Sequence, residues 1–219
     1  MRLRRGPDRR GGAAAPEPPW ALLSFLLRYP DARVVAARED IAAAVEEVEE
    51  PACRTALRRF LAGWTGDAQE LAAHYVATFD LRRRASLELT YYAHGDTRER
   101  GMALLRLKKL YRAAGLPLDC PELPDHLTVM LAFAELAPPG HGAALLAEHG
   151  AAIELLRLSL HDLGTPYAHL LDAVVAGLPP LGVDGRAEVA RLAREGPPEE
   201  AVGLEPYGPP EAMPEGARA

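Results

Sequence analysis

Apolar positions at Val34, Ala37, Ile41, Ala44, Val45 and Val48 fall on one stripe with a 3.6-residue period, and Glu39, Asp40, Glu46 and Glu47 point away from it. This predicts an amphipathic helix over 33–49, closed by Pro51. The same period, with breakers at the joins, predicts further helices over 20–28, 52–63, 67–78, 97–114, 125–136, 143–163 with a break at Gly150, 166–176 and 185–195. No run alternates apolar and polar residues between turn signals as a half-buried strand would. The least regular interior stretch is 80–94, DLRRRASLELTYYAH, where Leu87, Leu89 and Tyr91 fit either an extended segment or one short helix. An all-α, single-domain helical bundle follows.

Composition bounds this bundle. The chain has 219 residues, 48% of them hydrophobic, enough for one full core. Residues 1–15 are basic and poor in large apolar side chains, and 196–219 are rich in proline, so both are expected to be disordered tails around a helical domain at 16–195. The arginine-rich start is followed by an apolar run too short for an export signal. No stretch reaches the ~18 to 20 apolar residues of a spanning helix. A net charge of -6 offers no general attraction to nucleic acid or to anionic lipid. The two cysteines, Cys53 and Cys120, are far apart, which suits a reducing compartment. The expectation is a cytoplasmic protein.

No chemistry of catalysis is legible. The chain lacks a nucleophile elbow, a dinucleotide-binding glycine fingerprint and a phosphate loop, and its only lysines, Lys108 and Lys109, lie in mid-helix. His141, His149, His161 and His169 are out of helical register with one another and have no cysteine nearby, so no metal site is expected. The acidic face of 33–50 and the run Arg82, Arg83 and Arg84 read as solvated surface. Two segments stand out. In HGDTRERG, 94–101, Asp96 and Glu99 have the spacing of a capping box, and Arg100 projects onto the apolar side of the helix that follows. A guanidinium there needs an acid (Asp125, Glu122 or Asp80) or a bound ligand, and both readings stay open. In ELPDHLTVMLAFAEL, 122–136, Pro124 and Asp125 suit a first helical turn. Beyond His126 that helix is apolar nearly all round, which fits the centre of the core or the floor of a groove.

YVATFD at 75–80, LTYYAHGDTRERG at 89–101 with its continuation MALLRLKKLYRAAGL, ELPDHL at 122–127 and TPYAHLLDAV at 165–174 together resemble the molybdenum-cofactor assembly chaperone of respiratory nitrate reductase, its delta subunit. The similarity spans about 22–178. More distantly, the acidic-x-Pro-Asp-His pattern is similar to that of helical chaperones which bind the leaders of molybdoenzymes. The resemblance implies an all-helical chaperone, not an enzyme, that binds the N-terminal segment of the apo catalytic (alpha) subunit. It would keep that subunit competent for molybdenum cofactor insertion and membrane docking, hold no cofactor itself, and be absent from the finished enzyme. A proofreading chaperone for the leader of a different molybdoenzyme is the alternative. The resemblance places the client-binding region on Glu122, Asp125 and His126, with HGDTRERG (His94, Asp96, Arg100) as a further contributor; the apolar helix pattern adds Met130 and Phe133 as the expected floor of the groove.

Overall fold

The computed structural model describes residues 18–198. Among them twelve α-helices occur and no strand: α1 Trp20–Leu26, α2 Ala32–Ala36, α3 Arg38–Glu46, α4 Pro51–Gly63, α5 Ala68–Tyr75, α6 Leu89–His94, α7 Arg98–Ala113, α8 Leu127–Leu136, α9 His141–Glu148, α10 Gly150–Asp162, α11 Tyr167–Ala176 and α12 Val183–Glu195. The all-α expectation therefore holds. The tails expected to be disordered lie outside the described residues, save for 196–198, which follow α12.

Local chemistry sets most boundaries. Asp31 caps α2 by accepting the Arg33 and Val34 amides. Asp67 and Glu70 form a full capping box on α5. Pro51 does not close a preceding helix but opens α4, where its missing N–H costs nothing and the Glu50 carboxylate accepts the Cys53 amide. The single helix expected over 33–49 is two, parted at Ala37 and finished at Glu46. Arg38, the first residue of α3, donates to the Gly66 carbonyl at 2.9 Å and lies over the Trp64 ring at 5.2 Å. The break expected at Gly150 is present, between α9 and α10.

The core is centred on α11, which buries Tyr167, Ala168, Leu170, Leu171, Ala173 and Val174 and packs on α4, α10 and α1. Helix α10 spreads from there to α12, α9 and α6. Helix α8 lies against α1 on one side and α9 on the other. The α8–α9 crossing is close because Gly142 has no side chain: a Cβ there would sit 2.1 Å from the Ala134 Cα. Gly142→Ala is expected to force the helices apart and cost about 1 to 3 kcal/mol. Gly101→Ala, where a Cβ meets nothing within 4 Å, is expected to stabilise α7 by about 0.5 to 1 kcal/mol. Thermal melts of the two variants should move in opposite directions.

The irregular stretch 80–94 contains both of its anticipated forms in part. Helix α5 runs on as a π-helical turn, Val76–Asp80, then a 3₁₀ turn, Arg83–Ala85, then an isolated antiparallel bridge between Glu88 and His126, then the short α6. The bridge rests on two backbone hydrogen bonds, Leu89 N–H to the Asp125 carbonyl at 3.0 Å and Leu127 N–H to the Leu87 carbonyl at 2.8 Å. It brings the two segments singled out in the sequence to one place.

Candidate functional site

Asp125 anchors that place. It is not in the first turn of α8, which begins only at Leu127, because its carboxylate serves a different helix. Its Oδ2 accepts the Thr90 amide at 3.2 Å and the Thr90 hydroxyl at 2.5 Å, so it caps the start of α6 from 35 residues away. The residue is 0% exposed, and its Oδ1 has no hydrogen-bond partner. A buried carboxylate needs a cation nearby, and Arg100 supplies it at 3.7 Å.

Arg100 is the hub. Its side chain is 14% exposed and reaches the Glu88 carboxylate at 2.6 Å and Asp96 at 3.1 Å, with the Tyr91 ring 5.8 Å away. Of the two readings left open for it, the structure shows ion pairing, with Asp125 among the named candidates and Glu88 as the shortest contact. The capping box expected from Asp96 and Glu99 does not form. The N-cap is Thr97, which makes no cap hydrogen bond, and its hydroxyl donates back to the His94 carbonyl. Arg100 has taken Asp96, and Glu99 lies 3.7 Å from His94. Gly95 makes this turn with φ +56°, and the Pro198 carbonyl packs where any Cβ would sit.

A cavity of about 420 Å³ opens beside the hub. Its walls carry both signs of charge, Arg82, Arg83 and Arg100 together with Asp80, Glu88 and Asp96, and its aromatic surfaces are Tyr75, Phe79, Tyr91 and His126. The π-helical turn places Phe79 4.8 Å from Tyr75, centroid to centroid, so both rings face it. His126 bonds Thr128 Oγ1 through Nδ1 at 2.7 Å. Tyr111 braces the loop from behind, donating to the Pro124 carbonyl at 2.6 Å.

The residues expected to share a site are only partly brought together. Arg100, Asp96 and His126 line this cavity, with Asp125 buried beneath it. Glu122 lines a separate depression of about 270 Å³ with Lys108, Arg112 and Cys120. His94 lines a third, of about 470 Å³, between α6, α7, α9, α10 and α12. Met130 and Phe133 do not form a groove floor: both are buried in the core, where α1 and α9 cover α8 and Phe133 lies 4.8 Å from the Tyr111 ring. Glu88, Tyr91, Tyr75 and Phe79 join the site without a signal in the sequence, and Arg82 and Arg83, exposed as a solvated run should be, also border the cavity.

Elsewhere, His161 and His169 do meet, although on different helices. Both bond Asp172, at 2.8 and 3.0 Å, beside Arg157. Burial pushes the Asp172 carboxyl up, but these hydrogen bonds together outweigh it and hold it below the usual range. Among the described residues no group of three or more His, Cys, Asp or Glu side chains is arranged to hold a metal ion, and no helix is long and apolar enough to cross a membrane.

Burial holds the His126 and His149 imidazoles below the ordinary histidine value. The unfolded chain takes up protons at both below about pH 6.5, whereas the folded chain resists them. Their contribution to stability is thus present above that pH and lost as pH falls through the depressed folded values. The thermal midpoint is expected to drop steadily from pH 7 to about pH 5.5, a window above the ordinary carboxylates. His149→Gln should flatten that slope.

Three comparisons bear on this geometry. The family model described as nitrate reductase delta subunit matches residues 39–172. A Bacillus subtilis (strain 168) protein named "Probable nitrate reductase molybdenum cofactor assembly chaperone NarJ" is 33% identical over 174 residues, covering 78% of this chain and 94% of its own. The nitrate reductase-like protein NarX of Mycobacterium tuberculosis (strain H37Rv) is 37% identical over 155 residues, 71% of this chain, but this chain spans only 23% of that longer protein. In fold, a redox enzyme maturation protein from Archaeoglobus fulgidus superposes with a TM-score of 0.53 at 20% identity, over 87% of this chain and 99% of the other. With a helical frame throughout and a family model matched across more than half its length, the chain belongs to the nitrate reductase delta subunit family.

Proposed function

We propose that this protein is an assembly chaperone for the apo catalytic (alpha) subunit of respiratory nitrate reductase. It works in the cytoplasm, receives the N-terminal segment of that subunit, and keeps it competent for molybdenum cofactor insertion and membrane docking. The cofactor goes to the client, and the chaperone leaves the finished enzyme. Relatives bearing chaperone names support the role. The observation that carries the site is the cavity beside Arg100, in which charges of both signs border aromatic rings. Its polar groups are engaged in holding structure: Ser86 accepts the Glu88 amide and His126 bonds Thr128. Such a surface recognises a peptide with basic and apolar side chains and does no covalent chemistry.

Burying ~300 to 500 Å² of apolar peptide surface at ~25 cal/mol/Å² gives a gross gain of roughly 7 to 12 kcal/mol, much of it offset by ordering the peptide. Micromolar affinity is expected. Calorimetric titration with a peptide copying the first ~15 to 30 residues of the client tests this, with Glu88→Gln and Tyr91→Ala each weakening binding by about tenfold. Equal binding by wild type and both variants would place the client elsewhere.

A further inference from the structure

Helix α7 is a 16-residue helix that buries only Ala103, Leu107 and Tyr111. Turning 100° per residue, it sets Arg98, Met102, Leu105, Lys109 and Arg112 on one outward stripe, all exposed, with Met102 at 58% and Leu105 at 52%. Arg106 and Lys108 flank that stripe. Three of the cations on other helices are neutralised locally, Arg58 with Glu46, Arg157 with Glu154 and Asp172, and Arg191 with Glu188 and Glu195. On α7, among the described residues, none of these five cations has an acidic partner, and the one acid of the helix, Glu99, is turned to His94. The concentration of positive charge is local, since the chain as a whole carries -6.

We infer that the outward face of α7 is a docking surface for an acidic, amphipathic helical segment of another polypeptide, separate from the cavity beside Arg100. Charge complementarity names the occupant: carboxylates opposite Arg98 at one end and Lys109 and Arg112 at the other, with apolar side chains between them against Met102 and Leu105. The residues recur at alternating steps of four and three, the spacing at which one helix lies along another. Gly101 borders the stripe with open space where a Cβ would be, so a second backbone can come close. The stripe runs about 21 Å. A bilayer is the poorer fit, because two large apolar side chains give little to insert and a chain of net charge -6 is repelled by anionic lipid.

The test uses the full chain and a fluorescent, N-acetylated peptide of about 18 residues, with leucine at the core positions and glutamate beside them. A scrambled peptide of the same composition serves as control, as do vesicles of phosphatidylcholine with about one-third phosphatidylglycerol. Anisotropy should show saturable binding that weakens about tenfold or more for Lys109→Glu with Arg112→Glu, for Met102→Ser with Leu105→Ser, and for the scrambled peptide. All four side chains are exposed, so circular dichroism of both variants should match wild type. Equal affinity for the scrambled peptide, or unchanged binding by either double variant, overturns the inference. So does vesicle binding that exceeds peptide binding and is lost in the same variants. Peptide binding that appears only when 199–219, a glutamate-rich sequence, is removed overturns it too, because the chain's own end would then be the occupant.

Discussion

Arg100→Ala is expected to lower stability by about 3 to 5 kcal/mol, because it leaves Asp125, 0% exposed, as a buried charge without its cation. For a domain of this size that is a fall in thermal midpoint of roughly 6 to 20 °C. The loss belongs to Asp125 more than to Glu88 or Asp96, whose carboxylates reach water and regain solvation when the guanidinium goes. Asp125→Asn in the Arg100→Ala background should therefore recover part of the loss, and a double-mutant cycle read by calorimetry measures the coupling. Arg100→Lys should fall between, since one ammonium cannot span three carboxylates as a fork does. A variant that melts like wild type but no longer binds client peptide would instead make Arg100 a ligand-facing residue.

Tyr167→Ala should cost a similar amount, about 3 to 5 kcal/mol. Its ring is the meeting point of four others, with centroids at 5.0 Å to Phe79, 5.6 Å to Phe60, 5.8 Å to Tyr75 and 5.9 Å to His74. Two of these, Tyr75 and Phe79, line the cavity, so the variant should also lose peptide affinity in its folded fraction. Tyr167→Phe is the control. Burial pushes the Tyr167 hydroxyl up to about 12, and the Trp64 indole beside it lowers it only in part, without the geometry of a full hydrogen bond. Removing a buried hydroxyl so poorly paired should be neutral or slightly stabilising. If Tyr167→Phe is as damaging as Tyr167→Ala, the hydroxyl rather than the ring holds this cluster together.

Helical content was legible because a 3.6-residue apolar period and its breakers are local signals, and α4, α10 and α11 lie within a few residues of their expected spans. What failed was decided by contacts distant in sequence. No local rule reveals that Arg38 would lie over Trp64, or that Asp96 would pair with Arg100 instead of capping α7. A carboxylate ahead of an apolar run usually serves its own helix, yet Asp125 caps α6. An all-round apolar helix is equally a core element and a groove floor on paper. Packing by α1, α9 and Tyr111 made Met130 and Phe133 core. The position of Arg100 on the inner face was readable, whereas Glu88 lay across a turn that periodicity does not describe.

The bridge between Glu88 and His126 also sets when the cavity can exist during synthesis. Its two walls are joined only after the intervening chain closes into a loop, at a chain-entropy cost on the order of 3 kcal/mol for about 35 residues. A nascent chain that has emerged only as far as α7 has made Arg100 and Glu88, but not the Asp125 that fixes them. Client capture at this cavity therefore cannot precede synthesis of the Asp125–His126 segment: a shorter nascent chain carries one wall of the site without the other.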